Sequence, residues 1–173
     1  MEVITVGIAD CQISRNPEAL LVTWALGSCI AVAIHDPVAQ VAGLLHIMMP
    51  DSSIDREKAV KQPYMYADTG IPELFRAAYA LGASKKRLTV RLIGGAQVVD
   101  PNGIFNIGKR NHLACRKVLW GAGVMVQAEA VGGDMSRTVR MEVGSGRLIC
   151  TANGGVLQEL GGPKKGDLCL FAS

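Results

Sequence analysis

The sequence predicts an α+β fold in a single domain spanning residues 1–173, and three observations support that prediction. With 173 residues and 49% hydrophobic content, the chain is long and apolar enough to bury one substantial core. Short apolar runs rich in Val, Ile and Thr recur along the chain, which is typical of strands. Two segments with apolar residues at helical spacing interrupt these runs irregularly, which favours α+β over a regular alternation of strands and helices.

Four strands are predicted in the first third of the chain. Their ranges are 3–8, 20–26, 29–34 and 41–48. The segment HDPVAQ between the last two contains the Asp and Pro of a reverse turn, so these two strands are expected to form an antiparallel hairpin. If the hairpin turns around residues 37–39, Cys29 lies opposite His46, close enough for a thiol and an imidazole to meet.

The next segment, residues 51–61, is polar and lacks periodicity, and we interpret it as a mobile surface loop. A helix is predicted after it, with Asp68 or Thr69 as its N-cap, Pro72 in its first turn and Gly82 at its end. The apolar stripe of this helix consists of Ile71, Leu74, Phe75, Ala78 and Tyr79.

A strand at 87–93 follows and ends in Gly94-Gly95, a pair that indicates tight backbone geometry. A second helix is predicted with Asn106 as its cap. One face of that helix carries Ile107, Asn111, Ala114, Cys115 and Val118. Three further strands are predicted at 124–130, 137–143 and 147–151. Residues 151–173 form a C-terminal tail to which the sequence assigns no role.

Composition argues against several kinds of partner. The net charge of +3 arises from 18 basic and 15 acidic residues that are largely interspersed, so nucleic acid is not an expected partner. No uncharged apolar stretch approaches the roughly 18 residues of a membrane span, so no direct membrane insertion is expected. The N-terminal residues lack the basic and apolar regions of an export signal, which predicts a cytoplasmic protein.

The cysteines are the first candidates for chemistry. Their number is odd and no CxxC pair occurs, which argues against a disulfide framework and against a zinc site. They are Cys11, Cys29, Cys115, Cys150 and Cys169. Cys29 directly follows Gly27 and Ser28 at the head of an apolar run, so it is either a small buried hydrophobe or a thiol presented at a turn.

Only three histidines are available as a base for such a thiol. His35 is expected in a turn and His112 on the polar side of the second helix, both at the surface. His46 is flanked by Leu45 and Ile47 on a predicted strand. That position suits either a core histidine satisfied by a backbone carbonyl or a base for Cys29, and the residues alone leave both interpretations open.

Several longer stretches occur in one order: TWALGSCIAVAIHDP, AGLLHIMMP, YADTGIPELF, RLIGGAQ, NIGKRN and VGGDMSR. In this combination the chain resembles the bacterial chemoreceptor glutamine deamidases of the CheD family, over residues 23–146. The resemblance implies a site with Cys29 as nucleophile, His46 as base and Thr23 as the residue that orients the histidine. The family is also similar in its core to the deamidase domain of cytotoxic necrotizing factor toxins, which implies an αβ sandwich with a mixed, mainly antiparallel sheet.

The function implied by the resemblance is hydrolysis of glutamine side chains to glutamate on the cytoplasmic domains of chemoreceptors. A thiolate–imidazolium pair would attack the amide, form a thioester and release ammonia, with no cofactor or metal ion. Backbone N–H groups of Gly27, Ser28 and Cys29 are the expected oxyanion donors. Two alternatives stay open: a binding module that mainly regulates a CheC-type phosphatase, and a thiol hydrolase with another substrate.

Overall fold

Two mixed sheets form the frame of the protein, in a computed structural model that describes residues 1–98 and 102–160. The strands are β1 (Glu2–Thr5), β2 (Asp10–Ser14), β3 (Ala19–Leu26), β4 (Ile30–Asp36), β5 (Val41–Ile47), β6 (Thr89–Gly94), β7 (Ala128–Val131), β8 (Arg137–Glu142), β9 (Leu148–Ala152) and β10 (Gly155–Glu159). The helices are α1 (Arg56–Lys61), α2 (Ala67–Ala80) and α3 (Ile107–Gly121). None of these helices is long and apolar enough to span a membrane.

The first sheet has the strand order β1-β3-β8-β9-β10, and the second has the order β2-β5-β4-β6-β7. Pairing is parallel between β1 and β3 and between β6 and β7, and antiparallel between all other neighbours. The prediction of an α+β fold with mixed, mainly antiparallel pairing is confirmed. The strands are divided between two sheets, whereas the prediction had one.

The second sheet lies between the first sheet and the helices, because β4 and β5 are buried along their whole length. One core fills the space between the two sheets, with Leu21, Leu26, Leu44, Ile93, Val139, Met141 and Leu148 as its large members. The other core lies under α2 and α3, with Ile30, Ile34, Leu45, Ile47, Leu74, Leu92 and Leu119. Burial of both faces explains why these strands appear in the sequence as continuous apolar runs.

The predicted hairpin between β4 and β5 is present, but its predicted register is wrong. Ile30 pairs with Ile47 and Ala31 pairs with His46, so Cys29 is not directly opposite His46. The turn is longer than expected, because the ladder closes at Asp36 and the backbone of Gln40 is left-handed, with φ 52°. The resulting shift of two residues keeps every side chain on the expected face of the sheet.

The polar segment 51–61 is more ordered than the predicted mobile loop. It contains a 3-10 turn at Ser52–Ile54 and the helix α1. Side chains cap both pieces: the Asp51 carboxylate accepts from the Ser53 amide at 2.7 Å and the Asp55 carboxylate from the Lys58 amide at 3.0 Å. Such local caps order a short segment that has no hydrophobic period.

The ends of the two long helices agree with the sequence only in part. Tyr66, rather than Asp68 or Thr69, is the N-cap of α2, and Pro72 lies inside that helix instead of in its first turn. Gly82 follows the helix with φ 98° and donates its N–H to the Tyr79 carbonyl, as predicted for a glycine at a helix end. Asn106 is the N-cap of α3, which confirms its predicted position.

Two strands were absent from the sequence prediction. β2 pairs with β5, and β10 extends the first sheet from within the predicted tail at 151–173. Leu160, directly after β10, is 3% exposed and belongs to the core between the sheets. Cys169 and the other residues after Leu160 lie outside the described part of the chain.

Candidate active site

Cys29 lies in the turn by which the chain passes from β3 in the first sheet to β4 in the second. Three consecutive carbonyls of this turn accept hydrogen bonds from other parts of the chain. The Gly95 amide donates to the Cys29 carbonyl and the Ala96 amide to the Gly27 carbonyl, both at 2.8 Å. The carbonyl of Ser28 accepts from the side-chain amide of Asn111 at 2.9 Å. These bonds fix the turn from one side.

Glycine is required where the segment after β6 touches this turn. A Cβ on Gly94 would lie 2.2 Å from the Cys29 carbonyl oxygen, and the residue has φ 116°. A Cβ on Gly108, in the first turn of α3, would lie 2.5 Å from the Gly95 carbonyl oxygen. The predicted tight geometry at Gly94-Gly95 is confirmed, and it brings β6 and α3 against the Cys29 turn.

Thr23 and His46 contact each other across the space between the sheets. The Thr23 Oγ1 lies 2.8 Å from the His46 Nδ1 and 2.8 Å from the carbonyl oxygen of Val6. A hydroxyl has one hydrogen, and only it can occupy the contact with the Val6 carbonyl. Oγ1 therefore accepts from Nδ1–H, which assigns the histidine hydrogen to Nδ1 and leaves Nε2 with its lone pair.

The His46 Nε2 is buried and has no hydrogen-bond partner among residues 1–98 and 102–160. Burial lowers the pKa of His46 to about 4, although the negative charge of Asp10 acts in the opposite direction. Asp10 is the cross-strand partner of His46 in the ladder between β2 and β5. His46 is therefore neutral at pH 7, with an unused basic nitrogen inside the protein.

Cys29 is close to His46 along the sheet, diagonally rather than directly opposite. Ala31 faces His46, and Cys29 precedes Ala31 by two residues, so its side chain is on the same face of the second sheet. Cys29 is half-buried and packs against the core between the sheets. Thr23, Cys29 and His46 thus converge on one region between the two sheets.

The electrostatic state of the pair differs from the prediction. Burial raises the pKa of the Cys29 thiol above its ordinary value, and the residue's own backbone N–H only partly opposes this rise. With His46 also neutral, the free protein holds a thiol and an imidazole rather than the predicted thiolate–imidazolium pair. The cause is desolvation, which disfavours both charged forms.

Within residues 1–98 and 102–160, the other thiols have a raised pKa or are buried, and the two other histidines have hydrogen-bond partners. Burial raises the pKa of Cys11 to about 12 and that of Cys115 to about 12, and Cys150 is fully buried. His35 is buried within β4, with Nε2 3.0 Å from the Val143 carbonyl, so its predicted surface position in a turn is wrong. His112 contacts the carboxylate of Glu129 at 3.1 Å.

In the described part of the chain, no group of three or more His, Cys, Asp or Glu side chains is arranged to hold a metal ion. Thr23, Cys29 and His46 contribute a hydroxyl, a thiol and an imidazole to this region.

The family model for CheD, described as chemotactic sensory transduction, matches residues 48–152, more than half of the chain. The chain belongs to the CheD family. It is 53% identical over 154 residues to the "Probable chemoreceptor glutamine deamidase CheD" of Solibacter usitatus, covering 89% of this chain and 91% of that protein. It is 48% identical over 157 residues to the "Probable chemoreceptor glutamine deamidase CheD 1" of Syntrophus aciditrophicus, covering 91% and 98%.

The matched CheD segment begins after His46, whereas the alignments with both relatives are long enough to include Thr23, Cys29 and His46. Among solved structures, the crystal structure of Neisseria meningitidis protein NMB0706 is similar with a TM-score of 0.43 and 9% identity. That similarity covers 77% of this chain and 63% of the other. At this distance it carries no functional information.

Sequence reasoning missed two residues of this CheD site. The sequence pattern places Asn111 on the apolar face of α3, and in the structure it is fully buried and bonded to the Cys29 turn. A single amide within an otherwise apolar stripe was the available signal. Asp10 could not be found, because β2 itself was not predicted and its pairing with β5 depends on contacts across the sheet.

Proposed function

We propose that this chain hydrolyses selected glutamine side chains of chemoreceptors to glutamate, with Cys29 as nucleophile and His46 as general base. One observation carries the proposal: Thr23 holds the His46 hydrogen on Nδ1, which leaves a basic, unpaired Nε2 in the region where the Cys29 thiol lies. The printed names of the relatives, chemoreceptor glutamine deamidases, supply the substrate class.

The first half of the reaction forms a thioester. The Cys29 sulfur attacks the carboxamide carbon while its proton passes to the His46 Nε2, so that no free thiolate has to exist in the resting enzyme. The tetrahedral adduct carries a negative oxygen. When it collapses, the carbon–nitrogen bond breaks and the imidazolium gives its proton to the departing nitrogen, which leaves as ammonia.

The second half releases glutamate. A water molecule gives a proton to the His46 Nε2 and attacks the thioester carbon, and the second tetrahedral adduct expels the Cys29 sulfur. The imidazolium returns its proton to that sulfur, which restores the neutral pair. Substrate amide and water are thus converted to carboxylic acid and ammonia, with no net change in the enzyme.

Backbone N–H groups of Gly27, Ser28 and Cys29 are the proposed oxyanion donors. All three carbonyls of these residues accept hydrogen bonds from the segment after β6 and from α3. The Gly27 and Ser28 carbonyls share their peptide planes with the N–H groups of Ser28 and Cys29, so these two donors are held in fixed orientations, a condition for donors that must act without reorganisation. The effect of the Cys29 N–H on the pKa of the Cys29 thiol supports its closeness to the reacting sulfur.

The names of the relatives favour an enzyme over the alternative of a binding module. Association with a CheC-type phosphatase and a cytoplasmic location stay predictions.

The test is to incubate purified protein with cytoplasmic fragments of chemoreceptors, and to measure ammonia release together with the peptide mass change of glutamine conversion. We expect Cys29→Ser and His46→Ala to lower turnover by about 10³-fold, because each removes a reacting group. Thr23→Ala is expected to lose about tenfold, because it removes only the hydrogen bond that selects the tautomer.

Cys11→Ser is the matched control, because Cys11 is also half-buried but packs against the core under the helices, whereas Cys29 packs against the core between the sheets. Its turnover should equal that of the unmodified protein. Turnover retained in Cys29→Ser would remove Cys29 from the mechanism. Absence of ammonia release and of any mass change with the unmodified protein would refute the deamidase proposal.

A further inference from the structure

Asn111 is a fully buried polar side chain in α3, on a face whose other buried residues are Gly108, Cys115 and Leu119. Its Nδ2 donates to the carbonyl of Ser28 at 2.9 Å and to the carbonyl of Met48 at 3.0 Å. Ser28 directly precedes Cys29, and Met48 follows His46 by two residues. One amide group therefore bridges the turn of the proposed nucleophile and the strand of the proposed base.

The orientation of this amide follows from its partners. Both partners are carbonyl oxygens, which accept hydrogen bonds and cannot donate them, so only the NH2 group can face them. Both amide hydrogens are then used, and the Asn111 Oδ1 is left buried without a hydrogen-bond partner among the described residues. An unsatisfied buried acceptor reduces stability, and a leucine of similar size would avoid that cost. The residue is thus better explained by its two donors than by packing.

The bridge lies where the β4–β5 ladder stops. Backbone pairing between these strands ends at Ile30 and Ile47, and Cys29 and Met48 are the first residues beyond it. The N–H of Met48 donates to the Met65 carbonyl at 2.9 Å instead of to the Cys29 segment. Beyond the ladder, the Asn111 side chain is the connection that replaces strand pairing between the two segments.

We propose that Asn111 is a positioning residue that fixes the Cys29 turn relative to the end of the His46 strand. The inference rests on the proposed function in taking Cys29 and His46 as the reacting pair. Because the two side chains are diagonal neighbours, a small displacement of either segment moves the sulfur away from Nε2. Misplacement by about 1 Å is enough to cost on the order of 10²-fold in rate.

The test compares Asn111→Leu, which keeps the volume and removes both donors, with Asn111→Asp, which keeps the shape. A buried carboxyl facing two carbonyl oxygens is held protonated and then offers one donor. Cys115→Ala is the control, because Cys115 is fully buried on the same helix, one turn further along, and belongs to the core under the helices. It loses stability through a cavity without touching the Cys29 turn.

Two readouts are measured on each folded variant: the steady-state constants for receptor fragments, and the rate at which iodoacetamide labels each cysteine. For Asn111→Leu we expect kcat to fall by about 10²-fold with KM changed less than about twofold, and Asn111→Asp to lie between it and the unmodified protein. Cys29 should be labelled several times faster in Asn111→Leu, because its turn is released, while labelling of Cys115 and Cys150 stays unchanged. Cys115→Ala should keep its kcat.

Two results would overturn the proposal. The first is an unchanged Cys29 labelling rate in both Asn111 variants. The second is faster labelling of Cys29, Cys115 and Cys150 in equal proportion, which shows general loosening of the fold. The labelling rates do not depend on turnover, so they test the role of Asn111 even if the unmodified protein releases no ammonia. Absence of ammonia release would refute the proposed function and leave the proposal about Asn111 to be decided by the labelling rates.

Discussion

Thr23 has a single hydroxyl hydrogen, and the contact that uses it decides which nitrogen of His46 is basic. The hydrogen is directed to the carbonyl of Val6, so the oxygen must accept from Nδ1. A threonine has no charge to stabilise the imidazolium that forms during the reaction. Asp10, opposite His46 in the neighbouring strand, is the nearest candidate for that electrostatic support.

The pH dependence of kcat/KM checks this arrangement. Burial lowers the pKa of His46 to about 4, so the base stays neutral and active down to about pH 5. We expect kcat/KM to fall below that, with a midpoint near the pKa of His46 in the free enzyme, instead of near the ordinary histidine value of about 6.5. Asp10→Asn removes the influence that raises the pKa of His46 and should move the midpoint to lower pH.

Stability must be followed in the same experiment. The unfolded chain binds a proton at His46 near pH 6.5 and the folded chain only near pH 4, so stability decreases as the pH falls between these values. Circular dichroism at each pH separates unfolding from protonation of the base. An acid midpoint at pH 6.5 or above in the folded protein contradicts the buried, neutral base.

At this scale the sequence could indicate residue types and their resemblance to a family, and no more. Cys29, His46 and Thr23 were all named from it. The tautomer, the neutral state of the pair and the bridging amide of Asn111 depend on distances between the sheets and α3, which no local pattern contains. The single amide on the apolar stripe of α3 was visible, but its two carbonyl partners were not.

The turn between β3 and β4 is the element on which the site depends, and β6 reaches it through Gly94. The end of α2, the start of α3 and the strand runs could be predicted, because Gly82, Asn106 and the apolar runs are local signals. The register of the β4–β5 hairpin could not, because it depends on the length of the turn after Asp36. The capped segment 51–61 was missed for a related reason: hydrogen bonds, rather than hydrophobic period, order it.

Gly94→Ala and Gly82→Ala form a matched pair that tests the contact with the turn. Both glycines have positive φ, 116° and 98°, so each substitution is expected to cost stability by about 1 kcal/mol or more. Only at Gly94 would the new Cβ meet the Cys29 carbonyl, at 2.2 Å, whereas nothing lies within 4 Å of a Cβ at Gly82. We expect Gly94→Ala to lose turnover and Gly82→Ala to keep it.

Urea unfolding and the ammonia assay distinguish the two effects. Similar kcat values for the two variants, measured where both are folded, would mean that the approach of β6 to Cys29 has no functional role.

The molecule as a whole is organised by the second sheet, which is covered on both faces. The sequence could show that β4 and β5 are apolar throughout, but such runs do not reveal what covers each face. The partition into two sheets depends on the pairing of β3 with β8 and of β4 with β6, strands that are distant in sequence. β10 was not predicted within residues 151–173, because it is a short edge strand.

Leu160→Ala tests whether the core between the sheets extends past β10. The side chain is 3% exposed, its N–H donates to the Leu148 carbonyl, and its carbonyl accepts from the buried Arg91 guanidinium at 2.6 Å. We expect the free energy of unfolding in urea to fall by about 2–4 kcal/mol, as for other buried leucines. Val156→Ala is the control, because Val156 is 71% exposed in β10. Equal effects of the two substitutions would place Leu160 outside the core.

Thr23 belongs to the first sheet, His46 to the second, and Cys29 to the crossing between them. The hydrogen bonds within each sheet do not depend on the alignment of the two sheets, which is set by apolar packing and by a few polar contacts such as that of the His35 Nε2 with the Val143 carbonyl. A slide of about 1 Å leaves the secondary structure unchanged but separates Oγ1 from Nδ1 and the thiol from Nε2. Turnover is therefore expected to be more sensitive than spectroscopic measures of folding to small offsets between the two sheets. Mild pressure or dilute denaturant should inactivate the enzyme while it is still folded.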